Sequence, residues 1–118
     1  MNPLDYSDFP MLGKWKVIRA INKGKEIPEP MQEGEFLHDG TCIHLIKSLD
    51  QTKVIRLTGK YFFIPPDHVW AEMRPNEKGS TQKIIINGDQ AELHANGCIH
   101  YLRKINETEF TEPVIDCR

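Results

Sequence analysis

The sequence has little of what usually announces a function outright. Its 118 residues include only three cysteines, Cys42, Cys98 and Cys117. That is an odd number with none of the close Cys-x-x-Cys spacings of redox or zinc motifs. A disulfide framework is not expected, and reduced thiols point to the cytoplasm. Charge of one sign is not in excess, with 15 Lys and Arg against 17 Asp and Glu, net −2. No global field favours polyanions and no Lys/Arg run forms a patch, so nucleic acid is not an expected partner. No apolar run approaches the roughly 18 residues that span a bilayer, which argues against a membrane protein. The opening "MNPLDYSDFPMLGKWKV" has no basic stretch followed by an apolar one, so it does not read as a secretory signal. A Walker-type loop, a dinucleotide fingerprint and a Gly-x-Ser-x-Gly elbow are all missing, and no cofactor is expected.

A helical period of 3.6 is missing too, and prolines and glycines recur too often for a long helix. What the sequence does have is period two. Strands are expected at 13–21, 34–38, 41–48, 53–64, 68–74, 81–87, 90–95 and 98–105, with Gly59 marking a bulge or sharp bend in the fourth. Pro28 and Pro30 suit a loop over 22–33, and Pro65-Pro66-Asp67 suits a turn. Asp39-Gly40, Gly88-Asp89 and Asn96-Gly97 sit where tight hairpin turns are needed. Eight strands joined by hairpins make an up-and-down antiparallel meander. Its exposed edges disappear when it closes into a barrel. The expectation is one all-β domain, with an N-terminal arm 1–12, a barrel 13–105 and a C-terminal tail 106–118 capping it. A β-sandwich is the alternative.

Two stretches repeat in outline, "LHDGTCIHLIK" at 37–47 and "LHANGCIHYLRK" at 93–104. They pose a choice between a duplicated metal site and a hairpin used twice. A two-residue Asp39-Gly40 loop pairs His38 with Thr41 and sends Cys42 and His44 outward. The same loop at Asn96-Gly97 pairs Leu93 with His100 and sends Cys98 and His100 inward. The two Cys-Ile-His triplets then point in opposite senses. Meander parity also puts the two tips at opposite ends of the barrel, so a metal site is not expected. A three-residue Ala95-Asn96-Gly97 loop would instead gather His94, Cys98 and His100 on one face.

"LGKWKVI" resembles the Gly-x-Trp signature that opens the barrel of lipocalins, and "FLHDGTCI" resembles a hairpin common in small bacterial lipocalin-like domains. "LTGKYFFI" and "IIINGDQAEL" are similar to the later strands of those domains, so the likeness runs over residues 12–105. It implies a lipocalin-like eight-stranded barrel, a fold that hosts carriers, a few enzymes and inhibitors. It also implies that Trp15 sits inside at the closed end, under a late arginine.

Eight strands leave an interior that is filled or holds one small ligand. The expected ligand is largely apolar with a polar or acidic head, and its expected contacts are Trp15, Arg19, Arg56, Tyr61 and His100. Arg19 shares the Trp15 and Val17 face, where a buried guanidinium would need an anion. Against this stands the plainer reading of a rim arginine reaching water. Arg56 and Tyr61 each reach either the cavity or the packed wall, and His100 is either a ligand group or a satisfied core histidine. Trp70 is phased outward between Val69 and Ala71 and is the expected anchor for a protein partner. The leading function is therefore small-molecule binding. The alternative is an interaction module of the inhibitor or immunity type, which uses the outer face. Catalysis through His100 or Glu72 has no supporting motif.

Overall fold

A computed structural model of the protein describes residues 8–28, 32–48, 50–72 and 79–117. Among them are ten strands: β1 Gly13–Asn22, β2 Lys25–Ile27, β3 Gln32–Phe36, β4 Thr41–Lys47, β5 Val54–Ile64, β6 His68–Glu72, β7 Ser80–Asn87, β8 Gln90–Ala95, β9 Cys98–Ile105 and β10 Val114–Cys117. None of the described residues is helical, so no helix is long and apolar enough to cross a membrane. The expectations for Met73 and Arg74 at the end of the expected strand 68–74, for residues 1–7 of the arm and for the Cys117 side chain lie outside the described residues.

Eight strands, β1 and β3 to β9, form one antiparallel sheet in the order β5-β4-β3-β1-β9-β8-β7-β6, and a β5–β6 ladder closes it. This is the expected barrel, and the closing ladder excludes the sandwich. Two additions were not expected. The 22–33 loop holds β2, which folds back on β1. The tail ends in β10, which runs parallel to the first part of β5, from Val114 beside Val54 to Cys117 beside Leu57. β6 pairs only with the later part of β5, Lys60 to Ile64. β10 therefore satisfies backbone groups that β6 leaves unpaired.

Register decides what faces inward, because a slip of one residue turns every side chain over. At Asn96-Gly97 both residues have positive φ, 51° and 77°, as a two-residue type I′ turn requires. Ala95 pairs with Cys98 and Leu93 with His100, as expected. At Asp39-Gly40 the expectation fails. Gly40 has φ 91° and Asp39 is not positive. The Gly40 N–H donates to the Leu37 carbonyl at 3.2 Å and the Leu37 N–H to Thr41 at 2.9 Å. This is a three-residue loop, a tight turn followed by a left-handed glycine. Phe36 pairs with Cys42 and Gly34 with His44, so the strand ends at Phe36 rather than residue 38. Cys42 and His44 point inward.

A second phase change lies in β1, whose register against β9 shifts between Val17 and Arg19. The extra residue, Ile18, bulges and is exposed. Ala20 takes the inward position and Arg19 turns out. Gly59, by contrast, marks no bulge: it pairs with Cys42 in an unbroken β4–β5 ladder.

One end of the barrel is solid. Phe9 and Met11 enter it from the arm, and the Phe9 ring lies 5.2 Å from Phe36, 4.9 Å from Tyr61 and 5.1 Å from Phe63. The Trp15 Nε1–H donates to the Met11 carbonyl at 2.9 Å, so the indole is buried without losing its hydrogen bond. Lys104, not an arginine, stands over the ring, with Nζ 5.6 Å from its centroid. Outside the barrel, the segment leading to β10 is held by charge. Glu109 bonds Lys16 at 2.6 Å and Arg103 at 3.0 Å, which holds its carboxyl below the usual range. Glu112 bonds Lys47 at 2.9 Å.

Candidate functional site

Above the aromatic plug the interior opens into a cavity of about 130 Å³. Trp15 forms part of its wall, with Val17, Phe36, Leu93 and Leu102. Each comes from the inward phase of its strand, and the Val17–Leu102 pairing bridges the β1–β9 ladder. Gly34 supplies a stretch of bare backbone, and Gln32, His44, Gln82 and His100 supply the polar groups.

The polar groups have defined roles. The Gln32 side-chain oxygen lies 3.0 Å from His44 Nε2. With that oxygen as the acceptor, the Nε2–H of His44 is the donor of this bond. His100 sits beside Cys98, with Sγ 3.9 Å from Nδ1. Burial pushes the His100 imidazole below its ordinary value, which favours the neutral ring at neutral pH. Cys42, also inward, is pushed up to about 11 by burial and behaves as a small hydrophobe. Among the described residues no group of three or more His, Cys, Asp and Glu is arranged to hold a metal ion.

The five residues expected to contact a ligand separate. Trp15 and His100 line the cavity. Tyr61 is inside but belongs to the solid end: its hydroxyl donates to the Leu37 carbonyl at 2.5 Å and its ring lies against Phe9 and Phe36. Arg19 and Arg56 are outside. The β1 bulge turns Arg19 to solvent, where it bonds Glu26 at 2.6 Å and lies over the Tyr101 ring. Arg56 occupies the outward phase of β5 and lies 3.5 Å from Asp116 of β10. Trp70 is on the outer wall beside Phe62, ring centroids 5.3 Å apart, while Val69 and Ala71 are buried as expected. Sequence reasoning missed His44, Gln32 and Gln82. The signal for His44 was the choice of loop length at Asp39-Gly40. Gln32 fell in a presumed loop, and Gln82 read as an ordinary strand polar residue.

No family model and no curated protein matches the sequence. Among solved structures, the chain is similar to a lipocalin-like protein from Bacteroides uniformis, with a TM-score of 0.68 and 16% identity over 80% of this chain and 98% of that one. It is also similar to an uncharacterized protein from Bacteroides eggerthii, with a TM-score of 0.64 and 13% identity over 81% of this chain and all of that one. The closed eight-stranded antiparallel barrel of this chain has the lipocalin-like fold.

Proposed function

We propose that the chain binds a small, largely apolar molecule in the barrel cavity, with its polar end turned toward Gln32, His44, Gln82 and His100. The observation that carries this reading is the mixed lining of one partly open space: an apolar wall with a few convergent polar side chains is what a small-molecule site requires. Size narrows the class. Drug-sized ligands occupy roughly 300–1,000 Å³, whereas an apolar cavity of about 150 Å³ takes a benzene. A space of about 130 Å³ suits a single ring or a short branched chain. With both arginines outside and His100 favoured neutral, the head is a neutral hydrogen-bonding group rather than an acid.

Gly34→Val tests the site. A Cβ at Gly34 meets only the Ile43 carbonyl at 3.9 Å, ordinary contact, and the side chain would enter the cavity. Phenol should raise the melting temperature of the wild type and not of the variant, and benzoate should raise neither. Equal shifts in both proteins, or none in the wild type, would dismiss the cavity reading.

A second reading, an interaction module, is supported by the outer wall. Phe62 and Ile64 are each 42% exposed there, beside Trp70. A pull-down with Trp70→Ala tests it, and capture equal to wild type would remove the anchor.

A further inference from the structure

A larger space lies on the other side of the same wall. Between the outer face of β3, β4 and β5 and the segment running into β10 is a groove of about 250 Å³, lined by Glu33, Glu35, Ile43, Leu45 and Val114, with Lys14 and Arg56 at its sides. The β-sheet register orders the floor. Glu33 pairs with Leu45 and Glu35 with Ile43 across β3–β4, and Leu45 pairs with Arg56 across β4–β5. Crossing the floor from β3 therefore leads from carboxylate to aliphatic to guanidinium.

Glu33 is the unusual member. It is only 4% exposed, although it faces away from the barrel core. One carboxylate oxygen, Oε2, accepts the Glu109 N–H at 2.8 Å. Oε1 accepts no hydrogen bond among the described residues, and no cation there lies within ion-pair distance of the carboxylate. Two of the neighbouring cations are committed elsewhere, Lys16 to Glu109 and Arg56 to Asp116, which leaves Lys14 at the groove's side. With Arg56 balanced by Asp116, the groove's own Lys14, Glu33 and Glu35 leave one excess negative charge. The carboxylate thus keeps one oxygen available to a donor that enters from the groove.

We propose that this groove is a second binding site, independent of the barrel cavity, for a small aliphatic molecule carrying a primary ammonium. The ammonium donates to Glu33 Oε1, and the methylenes lie on Ile43, Leu45 and Val114. Three features fit this class. The charge is complementary, the floor beside the carboxylate is aliphatic rather than polar, and the volume admits a chain that the inner cavity is too small to hold.

The probe is n-hexylammonium, titrated into the isotope-labelled wild-type protein and followed by amide shifts, with 1-hexanol and hexanoate as comparisons. Saturable shifts at Gly34, Glu35 and Thr108 are expected for the ammonium, with binding about ten-fold or more tighter than for hexanol, since the charged hydrogen bond separates them. Hexanoate should not bind. Glu33→Gln keeps an acceptor for the Glu109 N–H and should remove the advantage over hexanol. Leu93→Phe, which alters only the inner cavity, should leave hexylammonium binding intact and so separates this site from the one proposed above. Equal binding of hexylammonium and hexanol by the wild type overturns the proposal, and that comparison does not depend on any variant folding. Shifts confined to inner-cavity residues, or preferred binding of hexanoate, overturn it as well.

Discussion

His44 and His100 face one cavity although the hairpins that carry them turn at opposite ends of the barrel. The β3–β4 turn lies beside the start of β1, where Gly13 pairs with Phe36, and the β8–β9 turn lies beside its end, where Asn22 pairs with Cys98. Each histidine is set back from its own tip by a few strand residues, so two antiparallel approaches converge on the middle of the barrel. The convergence depends on unlike loops, three residues at one tip and two at the other.

Burial of His100 predicts a pH dependence. Its folded-state affinity for a proton lies below the ordinary value of 6.5, so the unfolded chain binds the proton more readily. Stability from this group is fully present above 6.5 and is lost as pH falls through the folded value. The urea midpoint should therefore drop between about pH 7.5 and about pH 5.5, and His100→Gln should flatten that part of the curve. Carboxyls held low, Asp50 by Ser48 and Thr52 and Glu109 by Lys16 and Arg103, act in a more acid range and do not overlap. An unchanged slope in the variant would assign the drop to another group.

The two inward cysteines should differ in reactivity. With its thiol at about 11, Cys42 is thiolate in only roughly one molecule in a thousand at pH 8, and it is buried. Cys98 is half-buried beside His100. In a Cys117→Ser background, iodoacetamide followed by peptide mapping should mark Cys98 in the folded protein and Cys42 only after denaturation. Equal labelling of both would show that the β4 side of the barrel opens freely.

Gly79 should tolerate no side chain while Trp70 is present. A Cβ there would stand 2.2 Å from Trp70 Cζ2, so the indole must leave its seat. Gly79→Ala should cost about 1–3 kcal/mol. In a Trp70→Ala background the same change should cost little, which a double-mutant cycle by denaturant melts would reveal. Equal costs in both backgrounds would place the problem in the backbone instead.

Trp15→Phe removes both the donor to the Met11 carbonyl and part of the volume that seals the barrel. A loss of about 2–4 kcal/mol in chemical denaturation is expected. Lys104→Met, which keeps the aliphatic stem over the ring but drops the charge, should cost clearly less. Similar losses from the two would mean that the ammonium, not the indole's packing, dominates.

Much of the barrel was legible because alternation survives in nearly every strand and because closing a meander is the simplest way to remove its edges. The faces of β8 and β9 were readable from Asn96-Gly97, whose two positive φ values match the turn that the dipeptide favours. The matching inference at Asp39-Gly40 failed because Asp-Gly serves equally in a three-residue loop, and nothing local distinguishes the two. Arg19 was misplaced for a similar reason: a single bulged residue leaves no mark in a row of alternating side chains. The parallel β10 was out of reach, since it rests on a long-range pairing with Val54 and on ion pairs set by the folded surface.

The seam between β1 and β9 joins the earliest barrel strand to the latest, Lys14 beside Ile105. During synthesis, β1 can pair early with β3 but must wait for β9, its second barrel neighbour. Until then the growing polypeptide holds an open, apolar-faced sheet with the indole of Trp15 only partly covered. Such distant contacts slow folding and lengthen exposure to aggregation, so yield in cells should track the speed of that final docking more closely than equilibrium stability.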